Sequence, residues 1–250
     1  MICGNRYVAG ALESLEQYVN DYGEDGKSEL NTLASSHTVT MDVTSKPDIR
    51  YTGCEIVGGV LRILFVKDVL GHNIRDSLEN LTEAINQAGI SSDDASLDFN
   101  ARSSIKIDYE PKIGAVQAKF HTILATPTFD LEPNFEHNYA ALLAYNKNKK
   151  SPQFGHRDWQ KKLGQLTLNY FSAFVETMED KGWGDDEMVR EGVKEAVEKN
   201  QIALRIVSKL STGKLYNECV VEHGVLYIQT TAENWGTNIS DPANELLDIV

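Results

Sequence analysis

The residues best placed to do chemistry cluster between 147 and 162. Lys147, Lys149, Lys150, Arg157, Lys161 and Lys162 put six of the chain's 24 basic residues in one window, with His156 beside them and only Asp158 opposing. Cations interleaved with aromatics such as Phe154 and Trp159 suit contact with phosphates and bases, or with an acidic protein face. The same stretch holds His156-Arg157-Asp158, the triplet that opens the catalytic loop of protein kinases. In that chemistry the Asp takes a substrate proton, and an Asn five residues later holds a metal ion. Five residues after Asp158 stands Leu163, on an apolar helix face, and no glycine-rich phosphate loop or Asp-Phe-Gly accompanies it. The kinase reading fails. Asp158 reads instead as the N-cap of a helix that starts at Trp159. The Trp159 ring reads as that helix's first core residue, which leaves the lysines as the candidate contacts.

Other reactive constellations are weaker. The spacings of a nucleophile elbow, a zinc-protease helix, a P-loop or an EF-hand do not occur. His121, Glu136 and His137 come nearest to a metal set. Adjacent helix positions diverge by about 100°, however, so Glu136 and His137 do not readily share an ion. His223 reads as a turn residue, and Cys54 and Cys219 as small core hydrophobes within strands. Asp93-Asp94 and Asp185-Asp186 read as loop and helix-start charges. No metal and no cofactor are expected.

Composition narrows the class. With 250 residues, 41% apolar and 24% charged, the chain has the usage of a globular protein. No apolar run approaches the ~20 residues a membrane helix needs, and the N-terminus turns acidic before any signal-peptide core forms. Three dispersed cysteines without a C-x-x-C pair suit a reducing compartment, so a cytoplasmic location is expected. A net charge of −13 repels nucleic acid and anionic membranes on average, making the basic window a local exception.

The elements that must position these residues follow from periodicity. Val8, Leu12, Leu15, Val19 and Tyr22, flanked by Ala11 and Tyr18, predict a helix ended by Gly23 and Gly26, with a polar connector after it. Alternating runs predict strands at 38–44, 48–56 and 60–67. A helix over 74–88 follows, capped by Asn73 and closed by Gly89. Residues 90–102 read as a loop, and 103–110 and 115–124 as two further strands. Helices are then predicted from Asn134, from Trp159 to about Lys181, and from Asp185-Asp186. Residues 202–231 read as a three-stranded meander and 233–250 as weakly structured.

The fold class expected is α+β, with antiparallel β meanders packed against several amphipathic α-helices. A single domain over 1–250 is expected, with 147–158 as the candidate boundary between 1–146 and 159–250. The function expected is a non-enzymatic intracellular binding or assembly protein. Its contact surface would be Lys147, Lys149, Lys150, His156, Arg157, Lys161 and Lys162. A protein partner or self-association is expected, with nucleic acid as an alternative and no membrane. Two other classes stay open. One is an enzyme whose site gathers His121, His137, His156 or His223 with a carboxylate from distant loops. The other is a homo-oligomeric structural protein, which would show apolar patches at edge strands or on the exposed face of 159–181.

Overall fold

The computed structural model describes residues 2–89, 97–147, 158–211 and 213–248. By internal contacts the chain divides into two compact units, Met1–Asn100 and Ala101–Val250. The candidate boundary at 147–158 falls within the second, mostly on residues outside the described set. Helices and two mixed sheets make the class α+β.

The first unit opens with α1 (Ile2–Leu33), which bends at Gly23 (φ 58°, ψ −147°) instead of stopping there. A glycine with positive φ redirects the helix, and Leu30 and Leu33 beyond it still pack on the core. The connector expected after Gly26 is therefore helical. The buried seam of α1 runs through Tyr7, Ala11 and Tyr18, with Leu15, Val19 and Tyr22 partly buried. Val8 and Leu12, expected inside, are each 54% exposed. Next come β1 (Thr38–Thr44), β2 (Thr52–Val57) and β3 (Val60–Val66), then a 3-10 turn at Ile74–Asp76 and α2 (Leu81–Gly89). The helix expected over 74–88 is thus two pieces. Asn73 sits at φ 49° and makes no side-chain cap bond.

The sheet order is β1-β3-β2, with β1 parallel to β3 and β2 antiparallel to it. An antiparallel meander was expected here, and the connectors explain the difference. Gly58 and Gly59 both have positive φ, the geometry of a two-residue hairpin turn, so β2 and β3 must be neighbours. Residues 45–51 form no such turn; this longer link carries the chain past the β3 position. Ile49 is buried along it.

A helical run that begins at the end of the first unit stands where two strands were expected at 103–110 and 115–124. This run is α3 (Phe99–Ser104), a π-helical turn at Ile105–Tyr109 and α4 (Glu110–Leu124). The Ile105-Lys106-Ile107 alternation imitates a strand, yet Ile107 is exposed while Ile105, Tyr109, Phe120, Ile123 and Leu124 are buried at helical spacings. Pro111 is tolerated because it lies in the first turn of α4. There follow β4 (Asp130–Glu132), α5 (Phe135–Lys147), α6 (Leu163–Asp180) and α7 (Glu187–Ala196), then β5 (Gln201–Val207), β6 (Asn217–Glu222) and β7 (Val225–Thr231). Asp186 caps α7 by accepting from the Met188 and Val189 amides. The tail is more ordered than expected, with Trp235, Ala243 and Leu246 buried and a 3-10 helix at Asp241–Asp248.

The second sheet has the order β4-β5-β7-β6. His223 and Gly224, both at positive φ, join β6 to β7 tightly, whereas β5 pairs parallel with β7. The expected meander is corrected for the same reason as in the first sheet. The two sheets therefore repeat one topology: a first strand, then a hairpin whose second strand lies between the other two. β1 and β5 occupy equivalent positions.

Candidate functional site

Sheet edges expose unpaired amides and carbonyls, so each edge must be sealed or used. Among the described residues, side chains take backbone groups at two of the edges, and the chain's tail packs beside a third. On β2, the Asn80 side chain takes both backbone groups of Cys54: its Oδ1 accepts from the amide at 2.7 Å and its Nδ2 donates to the carbonyl at 3.0 Å. On β5, the short β4 pairs only as far as Ala203. Past that point α5 and the residue before it supply side chains. Asn138 Nδ2 donates to Leu204 O at 3.1 Å and its Oδ1 accepts from the Ile206 amide at 2.7 Å. Asn134 Nδ2 also donates to Leu204 O at 3.1 Å, and His137 Nε2 donates to Ile206 O at 3.0 Å. A primary amide has the donor and acceptor of a peptide unit, so each asparagine stands in for a missing strand. On β6, the 3-10 tail lies against the strand, and Asn217 Nδ2 donates to Thr237 O and Asn238 O.

The fourth edge is different. Among the described residues nothing hydrogen-bonds the outward backbone of Val39–Val43 on β1. The strand forms because Thr and Val favour extended backbone and because seven consecutive pairs join it to β3. In that register Val39 lies beside Leu61, Met41 beside Ile63 and Val43 beside Phe65. Leu61 and Ile63 are core residues, 3% and 1% exposed. Val39, Met41 and Val43 continue the same face but are 55%, 37% and 60% exposed. The other face carries an ionic ladder across the sheet: Asp42 to Arg62 at 3.9 Å, Arg62 to Glu55 at 3.8 Å, and Glu55 to Lys46 at 2.5 Å. The site is thus an open strand edge, apolar on its inner face and charged on its outer one.

The basic window is only partly described. Lys147 ends α5, and Lys161 and Lys162 share the 3-10 turn at Gln160–Lys162 that leads into α6. All three are exposed, without an ion pair to any described residue. Lys149, Lys150, His156 and Arg157 lie outside the described residues. Trp159 is 4% exposed, its ring 5.0 Å from that of Tyr139, so it anchors the turn and cannot stack on a ligand. Asp158 does not cap the helix. Its φ is 53°, and neither the 3-10 turn nor α6 begins with a side-chain cap bond.

No family model, curated protein or solved structure matches the chain.

The remaining candidates are held in structural roles. His121 Nε2 donates to Phe129 O at 2.7 Å, and with His137 likewise engaged both rings serve backbone carbonyls. His223 forms the β6–β7 turn. Cys54 and Cys219 are buried and lie outside any disulfide. Burial, with Glu83 and Glu55 adding to it, pushes the Cys54 thiol up to about 12, which suppresses the reactive thiolate at neutral pH. Among the described residues no group of three or more His, Cys, Asp or Glu could hold a metal ion, and no helix is long and apolar enough to cross a membrane. Periodicity finds β1 as a strand but not as an edge, because the edge depends on where the 45–51 link carries the chain.

Proposed function

We propose that this chain is a binding and assembly protein that makes its contact by strand addition at β1. The observation that carries this reading is the contrast between edges: asparagines take backbone groups on β2 and β5 and the tail packs beside β6, while β1 has no outward backbone bond among the described residues and shows three exposed apolar residues. An added strand gains main-chain hydrogen bonds for affinity and a place for alternate side chains for selectivity. A reducing, cytoplasmic setting is supported by Cys54 and Cys219, both buried and outside any disulfide.

A labelled Thr-Val-Thr-Val-Thr-Val-Thr peptide, in excess over dilute protein, is the probe. Saturable binding by fluorescence anisotropy is expected, weakened at least about tenfold by Val39→Lys with Val43→Lys, which set lysines on the apolar face. No binding by the wild type, or equal binding by the variant, contradicts the reading.

A second contact is favoured by the exposed, unpaired Lys161 and Lys162 on the Trp159-anchored turn. It would take an anionic partner, nucleic acid or an acidic protein face, with Lys147, Lys149, Lys150, His156 and Arg157 contributing. Heparin affinity should then fall steeply with salt and vanish on charge reversal at Lys147, Lys161 and Lys162. Salt-independent affinity, or none at low salt, would remove this second contact.

A further inference from the structure

We infer that the strand added at β1 is the β1 of a second copy of this chain, antiparallel about a two-fold axis through Met41. The inference rests on the strand-addition reading and names its partner. The strand reads Thr-Val-Thr-Met-Asp-Val-Thr, the same sequence in both directions except at Thr40 and Asp42. Set antiparallel against its own copy with Met41 opposite Met41, Thr38 meets Thr44 and Val39 meets Val43. Thr40 meets Asp42.

That last pair is the chemical key. Self-pairing tends to fail when a charged residue meets its own copy, since like charges directly opposite are destabilising. Here the strand's one charged side chain meets a hydroxyl that can donate to it. The match is already visible within the strand, where Thr40 Oγ1 donates to Asp42 Oδ2 at 3.1 Å.

The register is tightly limited. Opposed residues in an antiparallel pair share a face, so a two-fold axis normal to the sheet must pass through a residue position. Centring on Asp42 would set two carboxylates against each other. Centring on Thr40 would push Val43 and Thr44 past the strand, opposite His37 and Ser36. Met41 alone uses all seven residues of β1.

Joined this way, two copies make one six-stranded sheet ordered β2-β3-β1-β1-β3-β2, with both helix-covered faces on the same side. Val39, Met41 and Val43 of each copy then adjoin, extending the apolar layer of Leu61 and Ile63 across the axis. The contact is isologous and closes on itself, so it yields a dimer and not a fibre. β5, in the equivalent position of the second sheet, shows what this topology does with the same edge when the chain itself fills it: β4 and the α5 asparagines lie there.

The test is the mass in solution of the full chain at tens of micromolar, by sedimentation or light scattering. The wild type is expected to be a dimer. Met41→Glu and Met41→Lys each place like charges face to face on the axis, so each alone should be at least about tenfold weaker and run as a monomer. An equimolar mixture should recover the dimer, because glutamate then faces lysine. Met41→Cys checks the same geometry without added charge: mild copper-phenanthroline oxidation should link two chains, with the wild type as blank. Charge variants that remain dimeric, a mixture that stays monomeric beside a dimeric wild type, or no crosslink through Cys at 41 each overturn the inference. A monomeric wild type that still binds the Thr/Val peptide overturns the second copy and leaves strand addition standing. A monomer that binds no peptide ends both.

Discussion

Replacing Gly164 with alanine is expected to destabilise the protein by roughly 2–4 kcal/mol, although alanine is the better helix former by about 1 kcal/mol. Gly164 stands in the first turn of α6, where that helix presses on the π-helical turn. A Cβ there would meet the Ser104 carbonyl oxygen, with the Ser104 carbonyl carbon at 2.6 Å and Ile105 Cα at 2.8 Å. These are backbone atoms, so no rotamer change relieves the clash and the helix must move. The Gly164 amide would also be drawn off Ser104 Oγ, to which it donates at 3.0 Å. Gly192→Ala is the control. That position in α7 has nothing within 4 Å of the new methyl group, so propensity alone should act and stabilise by about 0.5–1 kcal/mol. Thermal melts of both variants check the pair; opposite signs support the close approach, and a stabilised Gly164→Ala contradicts it.

Asn138→Leu is expected to cost about 2–5 kcal/mol while changing side-chain volume little. Asn138 is fully buried and uses its amide three times, donating to Pro133 O at 2.8 Å and Leu204 O at 3.1 Å and accepting from the Ile206 amide at 2.7 Å. Leucine strands the Ile206 N–H in an apolar setting, where an unmade hydrogen bond carries its full desolvation cost. Asn134 still reaches Leu204 O, so that carbonyl is spared. Urea titration measures the loss. A change below about 1 kcal/mol would mean that the β5 edge does not depend on this amide, and the contrast with the open β1 edge would lose its force.

Local signals marked most strands well. Thr38–Thr44 and Val225–Thr231 follow from alternation and β-branching, and the Gly58-Gly59 and His223-Gly224 turns follow from residues that accept positive φ. What sequence could not show was adjacency. The 45–51 link and the 208–216 link are long enough to pass over a neighbouring strand, and only the folded chain shows that they do. Alternation also misled at Ile105-Lys106-Ile107, where helical packing of Phe120, Ile123 and Leu124 overrides a local period of two. The Val8 and Leu12 stripe was one position out, because Tyr7 fills the core in their place. The basic window was plain in the sequence, whereas alternation alone marked Thr38–Thr44 as a strand and gave no reason to compare it with its own reverse. That comparison gains meaning only once β1 is seen to lie at an unsealed edge, since the same seven residues in a central strand would pair on both sides.

Amide hydrogen exchange resolved residue by residue across β1 tests the open edge most directly. In the dilute chain, alternate amides of Val39–Val43 should exchange quickly, while their neighbours, bonded to β3, stay protected. Saturating Thr/Val peptide should slow the fast set and leave the protected set unchanged. Outer amides already as protected as the inner ones in the dilute chain, or still fast under saturating peptide, would contradict strand addition at β1.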